Sequence, residues 1–295
     1  MKTQARDVDS LGDAAIQAPY VIYDVGANNG DDIPYYLKKA HRVVAAEANP
    51  ELCRDMRMRF EEEVRDGRLV IEHCVLTAER ASAAVPFYVH KTDHVRSQLA
   101  RPEAKSLVEY REVVVPSRSI VALIEEHGRP HYMKLDIEGQ DVAVMRQLFA
   151  AGVKPPFISA ESHSIDVLAT LIAVGGYDAF KVVVGSTVAQ RFRNHRIATL
   201  SGAERYSFPP HSAGPFGADI PGDWMPGDLF FKQLAIIGLG WKDIHATSTL
   251  TANPQAQLIW WPHARRRLAR VFRLDRVKAC VPAAIRRAYR SVIPR

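Results

Sequence analysis

The chain has 295 residues, 47% of them hydrophobic, which fits one sizeable α/β domain with additions better than two independent domains. Its three cysteines, Cys53, Cys74 and Cys280, are far apart and not in metal spacing, which argues against a disulfide framework or a zinc site and for a reducing compartment. The net charge of +6 is lopsided: residues 264–295 hold eleven Lys/Arg against one acid, and the rest of the chain is mildly acidic. Residues 1–18 read as a polar lead-in. From Val21 onward strand and helix patterns alternate, the signature of a parallel sheet with crossover helices. Strands are expected at 20–25, 42–47, 68–72, 131–136, 157–161 and 179–184. Helices are expected at 30–39, 50–65, 117–127, 140–151 and 164–174.

The first strand runs into Gly26-Ala27-Asn28-Asn29-Gly30, a tight turn into a helix whose glycines let backbone N–H groups approach a ligand. Glu47 closes the second strand, about 20 residues on, where an acid accepts hydrogen bonds from ribose hydroxyls. A nucleoside-containing ligand therefore belongs across these two strand ends. A dinucleotide turn would have a glycine where this chain has Asn28, and Asp24, Asp31 and Asp32 would repel a diphosphate. The acids suit a cationic ligand instead. S-adenosylmethionine, with an adenosine, a sulfonium and an ammonium that Asp24 could face, meets the requirement.

Further along, an insertion at roughly 80–116 carries two strand-like stretches, Ala84–Val89 and Glu112–Val115. The fourth strand ends in Lys134-Leu-Asp136-Ile-Glu138-Gly139, so Asp136 and Glu138 should project into the same crevice as Asp24 and Glu47. The fifth ends in Glu161-Ser-His163, a carboxylate and an imidazole on one side of an extended segment, able to serve as a base with its orienting partner or to hold a divalent metal. No metal is otherwise indicated. Residues 201–228, rich in Gly, Pro and Ser, read as a substrate or lid loop. An apolar segment at 229–237 and Trp241–His245 follow, with Asp243 and His245 a weaker second acid–imidazole pair. The basic residues of 264–295 interleave with apolar ones in amphipathic fashion. That pattern suits an anionic membrane surface, a nucleic acid or solvent alone.

Asp24-Val-Gly-Ala-Asn-Asn-Gly30, Glu47-Ala-Asn-Pro50, Lys134-Leu-Asp-Ile-Glu-Gly139 and Glu161-Ser-His163 resemble the FkbM family of S-adenosylmethionine-dependent methyltransferases across about 20–185. The resemblance implies a class I methyltransferase domain over 19–245, followed by a C-terminal extension at 246–295. The fold expected is α/β: a doubly wound, mostly parallel seven-stranded Rossmann-like sheet with helices on both faces, a β insertion and a basic helical tail. Cofactor binding falls by this resemblance to Asp24, Gly26, Ala27, Asn28, Gly30 and Glu47, with Asn49 near the ribose or adenine and Cys74 and Val75 at adenine contacts. The activity implied is O-methylation of a hydroxyl on a sugar, glycan or natural product. His163 is the leading base, with Glu161 and Asp136 as orienters or alternatives.

The Asn/Asp-Pro-Pro-Tyr/Phe element by which many amino methyltransferases grip a nucleic-acid base is absent after strand four. This absence argues against nucleic acid as the acceptor. A lipid-linked acceptor would give the basic tail a use at a membrane surface. No signal pattern and no run of about 18 apolar residues occurs, so a cytoplasmic protein is expected. Two rivals stand beside this reading: an NAD-binding oxidoreductase or epimerase, and a non-catalytic cofactor-fold module that binds membrane or nucleic acid through its tail.

Overall fold

A computed structural model describes residues 20–77, 84–137 and 139–258. Glu138 and the segments 1–18 and 264–295, including Cys280, lie outside the described residues. The chain opens with β1 (Val21–Val25), α1 (Ile33–Lys39), β2 (Arg42–Glu47), α2 (Pro50–Arg59), α3 (Glu61–Arg65) and β3 (Leu69–His73). All of β1 is buried, as a continuous apolar run in a central parallel strand must be. The helix expected over 50–65 is two helices, because Phe60 leaves the helical region (φ −117°, ψ 36°) to bury its ring.

A peripheral layer follows: β4 (Val75–Leu76), β5 (Val85–His90), β6 (Tyr110–Val115) and β7 (Ser117–Arg118). The expected pair of insertion strands is the antiparallel ladder β5–β6. Ser117 and Arg118, expected in a helix, instead pair with β4, and Ser119 caps the helix that begins after it. That helix is α4 (Ile120–His127), followed by β8 (Tyr132–Leu135), α5 (Asp141–Ala150), β9 (Phe157–Ser162), α6 (Ile165–Ala173), β10 (Ala179–Val184), α7 (Val188–Arg191), β11 (His195–Thr199), β12 (Gly202–Tyr206), α8 (Gly227–Ile237) and β13 (Gly240–Thr247).

Seven strands form the main sheet in the order β10-β13-β9-β8-β1-β2-β3. Only β13 runs against its neighbours, pairing antiparallel with both β9 and β10. The strand order reverses at β1, which pairs with β2 on one side and β8 on the other, and open parallel sheets bind ligands at such a switch point. Alternate residues of β1 feed two cores. Val21, Tyr23 and Val25 pack with residues of α4, α5, α6 and α8, while Ile22 packs with α1 and α2.

The segment expected as a substrate or lid loop begins inside the β11–β12 hairpin and then lies flat on the second core. Phe208, Phe216 and Ile220 are buried there, and the Phe216 ring stacks on Tyr132 at 3.9 Å with 4° between planes. A buried ion pair between Lys39 and Asp219 (2.6 Å) and a hydrogen bond from the Tyr35 hydroxyl to Asp219 (2.8 Å) pin it further. Glycine and proline here shape a packed cover whose large side chains point inward. No helix among the described residues is long and apolar enough to cross a membrane.

Candidate active site

A cavity of about 660 Å³ opens at the carboxyl ends of β1, β2, β8 and β9. At its floor Gly26 turns the chain out of β1 with φ +85°, and a Cβ there would sit 1.9 Å from the Asp136 carbonyl oxygen. The glycine is therefore required twice, by the left-handed backbone and by the close approach of the β8 exit. The next residue but one, Asn28, also has positive φ (49°), a conformation asparagine tolerates. Its N–H donates to Glu47 Oε2 (2.9 Å), and the N–H of Asn49 donates to Oε1 (2.7 Å). Both carboxylate oxygens are fixed by backbone, and each keeps a lone pair for a ligand. Burial pushes the Glu47 carboxyl up to about 7, against the pull of those N–H groups.

Gly26, Asn28, Glu47, Cys74 and Val75 all line the cavity, together with Leu52 and Leu76. Four residues of the expected cofactor set are not in its lining. Ala27 is buried in the second core, and Gly30 seats the turn against Ile33 and Met56, where a Cβ would meet Ile33 Cδ1 at 2.9 Å. Asn49 caps α2 with its side chain, accepting from the Glu51 N–H at 3.0 Å. Asp24 is wholly buried beneath the floor, 3.5 Å from Lys134 Nζ, and neither of its carboxylate oxygens has a hydrogen-bond partner.

Lys134 is the hub of that floor. Its ammonium lies 3.4 Å from Asp136 as well, and although burial opposes its charge, Asp24, Asp136, Asp32 and Asp243 hold its pKa above the ordinary lysine range. Desolvation raises the Asp24 carboxyl while Lys134 lowers it. The pairing leaves Asp24 behind an ammonium of the protein's own, away from the cavity surface.

Asp136, Glu161 and His163 meet on the opposite wall. His163 Nε2 lies 3.3 Å from Glu161 Oε2, and one ligand atom from each of the three groups falls within 4.8 Å of the others. The weaker pair is elsewhere: Asp243 and His245 are buried in β13 and absent from the cavity lining. Burial, with Lys181 nearby, drives the His245 imidazole down to about 3, and burial raises the Asp243 carboxyl well above its ordinary range. A neutral buried imidazole with no route to the cavity is a poor base for a ligand there.

The remaining wall comes from places the sequence did not mark individually. Phe87, Asp93, His94, Ser97 and Gln98 come from the β5–β6 insertion, His211 from the cover segment and Trp241 from β13. The insertion as a whole was expected to face the acceptor. Trp241 escaped because β13, with Asp243, His245 and Thr247 buried, lacks the apolar alternation that marks a strand.

This mostly parallel seven-stranded sheet, with its cavity at the switch point, is consistent with a Rossmann-like methyltransferase fold. Residues 24–168 match the Methyltransferase FkbM domain. Among solved structures it is similar to a methyltransferase FkbM from Methylobacillus flagellatus (12% identity, TM-score 0.38), over 56% of this chain but only 40% of that one. It is also similar to a precorrin-8w decarboxylase from Methanobacterium thermoautotrophicum (14% identity, 64% of this chain and 76% of that one, TM-score 0.33). A precorrin-6y C5,15-methyltransferase from Geobacter metallireducens aligns at 15% identity, over 57% of this chain and 68% of that one, with TM-score 0.29. No curated protein matches the chain.

Proposed function

We propose that the chain is an S-adenosylmethionine-dependent O-methyltransferase acting on a hydroxyl of a sugar, glycan or natural product. The observation that carries this reading is one cavity lined on one side by Gly26 and Glu47 and on the other by the His163–Glu161 pair. The residues present fit the cofactor. Gly26 lines the cavity floor with no side chain to intrude, Glu47 offers two fixed acceptors to a ribose, and Leu52, Val75 and Leu76 offer an apolar slot to a planar base.

When bound, S-adenosylmethionine supplies a methyl group on a positively charged sulfur. The protein's part is to hold an acceptor oxygen in line with that methyl, at about 3–3.5 Å, and to take its proton. In the tautomer that donates Nε2–H to Glu161, His163 keeps a basic lone pair on Nδ1. That nitrogen would take the proton of an acceptor hydroxyl. Glu161 steadies the imidazolium that results. The test is kinetic: His163→Ala should lose turnover with the cofactor still bound at its usual affinity. Near-normal turnover would remove His163 from the role.

A second reading of the same three side chains rests on their spacing, since two carboxylates and an imidazole within 4.8 Å of one another can hold a divalent cation. The base reading expects methylation to survive exhaustive chelation. Loss of activity on chelation, restored by added metal, would make His163 a ligand. The cytoplasmic setting and a peripheral contact between residues 264–295 and anionic membrane belong to the same proposal. Binding of the full chain and of a tail deletion to anionic liposomes tests the membrane contact.

A further inference from the structure

We infer that Trp241 is the platform on which the acceptor ring stacks, and that the acceptor is an uncharged or amine-bearing sugar ring rather than a phosphorylated or otherwise anionic one. The inference rests on the O-methyltransferase reading and narrows it. Trp241 lines the cavity and is 46% exposed, so its ring is partly open to a ligand. Its position is built. The register of β13 against β9 shifts between Gly240 and Asp243, with Gly240 at φ +110°, and such a bulge re-aims a side chain. Ser162, between Glu161 and His163, pairs with Gly240 and donates its hydroxyl to the Gly240 carbonyl at 2.8 Å. The indole and the imidazole proposed as the base both line the cavity from the ends of neighbouring strands.

The seat beneath the indole is equally specific. A Cβ on Gly185 would lie 2.2 Å from Trp241 Nε1, so the ring rests directly on backbone. The His211 ring, also in the lining, lies nearly parallel to it, 16° between planes with centroids 6.3 Å apart. Flat aromatic surfaces take the apolar face of a ring, and polar side chains elsewhere in the lining, here Asp93, Ser97 and Gln98, offer partners to its hydroxyls.

Charge sets the rest of the preference. Glu47, Asp93, Asp136 and Glu161 line the cavity, and among the described residues of the lining there is no lysine or arginine. Lys134, the nearest ammonium, is buried under the floor between Asp24 and Asp136. A phosphate, sulfate or carboxylate on the acceptor would meet carboxylates and no lysine or arginine, with only the imidazoles of His94, His163 and His211 to pair with, whereas an amine would be welcome.

The test uses the full chain saturated with S-adenosylhomocysteine on an array of neutral, amine-bearing, phosphorylated and sialylated glycans, with open-chain alditols as ringless controls. Expected are binding to neutral or amine-bearing ring glycans, a drop of about tenfold in Trp241→Ala, and retention in Trp241→Phe. Gly185→Ala, which unseats the indole without removing it, should reproduce the loss. Equal binding of phosphorylated counterparts, equal binding of alditols, unchanged binding by Trp241→Ala, or no glycan bound at all would overturn the inference. Calorimetric binding of S-adenosylhomocysteine to the wild type is read separately. Its absence would instead sink the methyltransferase reading on which this one rests.

Discussion

With Glu47 holding the ribose as proposed, cofactor affinity should depend on pH. Its carboxyl is raised from an ordinary 4.5 to about 7 because burial outweighs the backbone N–H groups of Asn49, Asn28 and Ala48 that favour its ionised form. Ribose hydroxyls donate to a carboxylate, so binding draws on the ionised fraction and releases the proton. With a pKa of about 7, that fraction is roughly a tenth at pH 6 and nine-tenths at pH 8. The dissociation constant of S-adenosylhomocysteine should therefore tighten about tenfold over that interval, close to 1.4 kcal/mol. Calorimetry at pH 6, 7 and 8 measures it, and the apparent enthalpy at pH 7 should vary with buffer as about half a proton is released. Glu47→Gln should bind more weakly and flatten the profile, while His163→Ala should keep the slope. The linkage runs the other way for folding. A carboxyl raised on folding favours the native state when protonated, so this contribution is full below about 4.5 and gone above about 7. A dissociation constant that is flat from pH 6 to pH 8 would refute the assignment of Glu47 to the ribose.

Gly26→Ala should destabilise the protein by about 4 kcal/mol or prevent folding, since the methyl meets the Asp136 backbone at 1.9 Å; a wild-type denaturation midpoint would show that β1 and β8 are not so tightly apposed. Lys134→Met leaves Asp24 buried without its cation and should cost about 3–5 kcal/mol in urea unfolding, with Asp24→Asn in the same chain recovering much of it. Phe216→Ala should cost about 3–5 kcal/mol, as expected of a fully buried ring stacked on Tyr132. A loss under 1 kcal/mol would show that Phe216 does not anchor that segment to the second core.

Much of the architecture was legible in the chain. β2 and β10 fall on their expected boundaries because each is a short apolar run ended by turn chemistry, and β1 and β9 fall within a residue. Among the site residues, those whose chemistry follows from a strand end were readable. Glu47, Asp136, Glu161 and His163 all line the cavity, because a parallel sheet delivers its strand ends to one edge. What the pattern concealed was depth. Asp24 and Asn49 carry plausible side chains for a ligand, but one is held by Lys134 and the other caps α2. Those partners lie 110 and 2 residues away, and only the folded chain shows which contact wins. Trp241 was hidden differently: β13 is an inner strand whose buried Asp243, His245 and Thr247 disguise it, and its aim is set by a bulge that no periodicity records.

The most direct test titrates the full chain with S-adenosylmethionine and, separately, with NAD, for the wild type and for Glu47→Ala. The account predicts one site for S-adenosylmethionine, weakened at least tenfold in the variant, and no binding of NAD across a turn that carries Asn28 in place of a glycine. NAD binding with no heat from S-adenosylmethionine would contradict it.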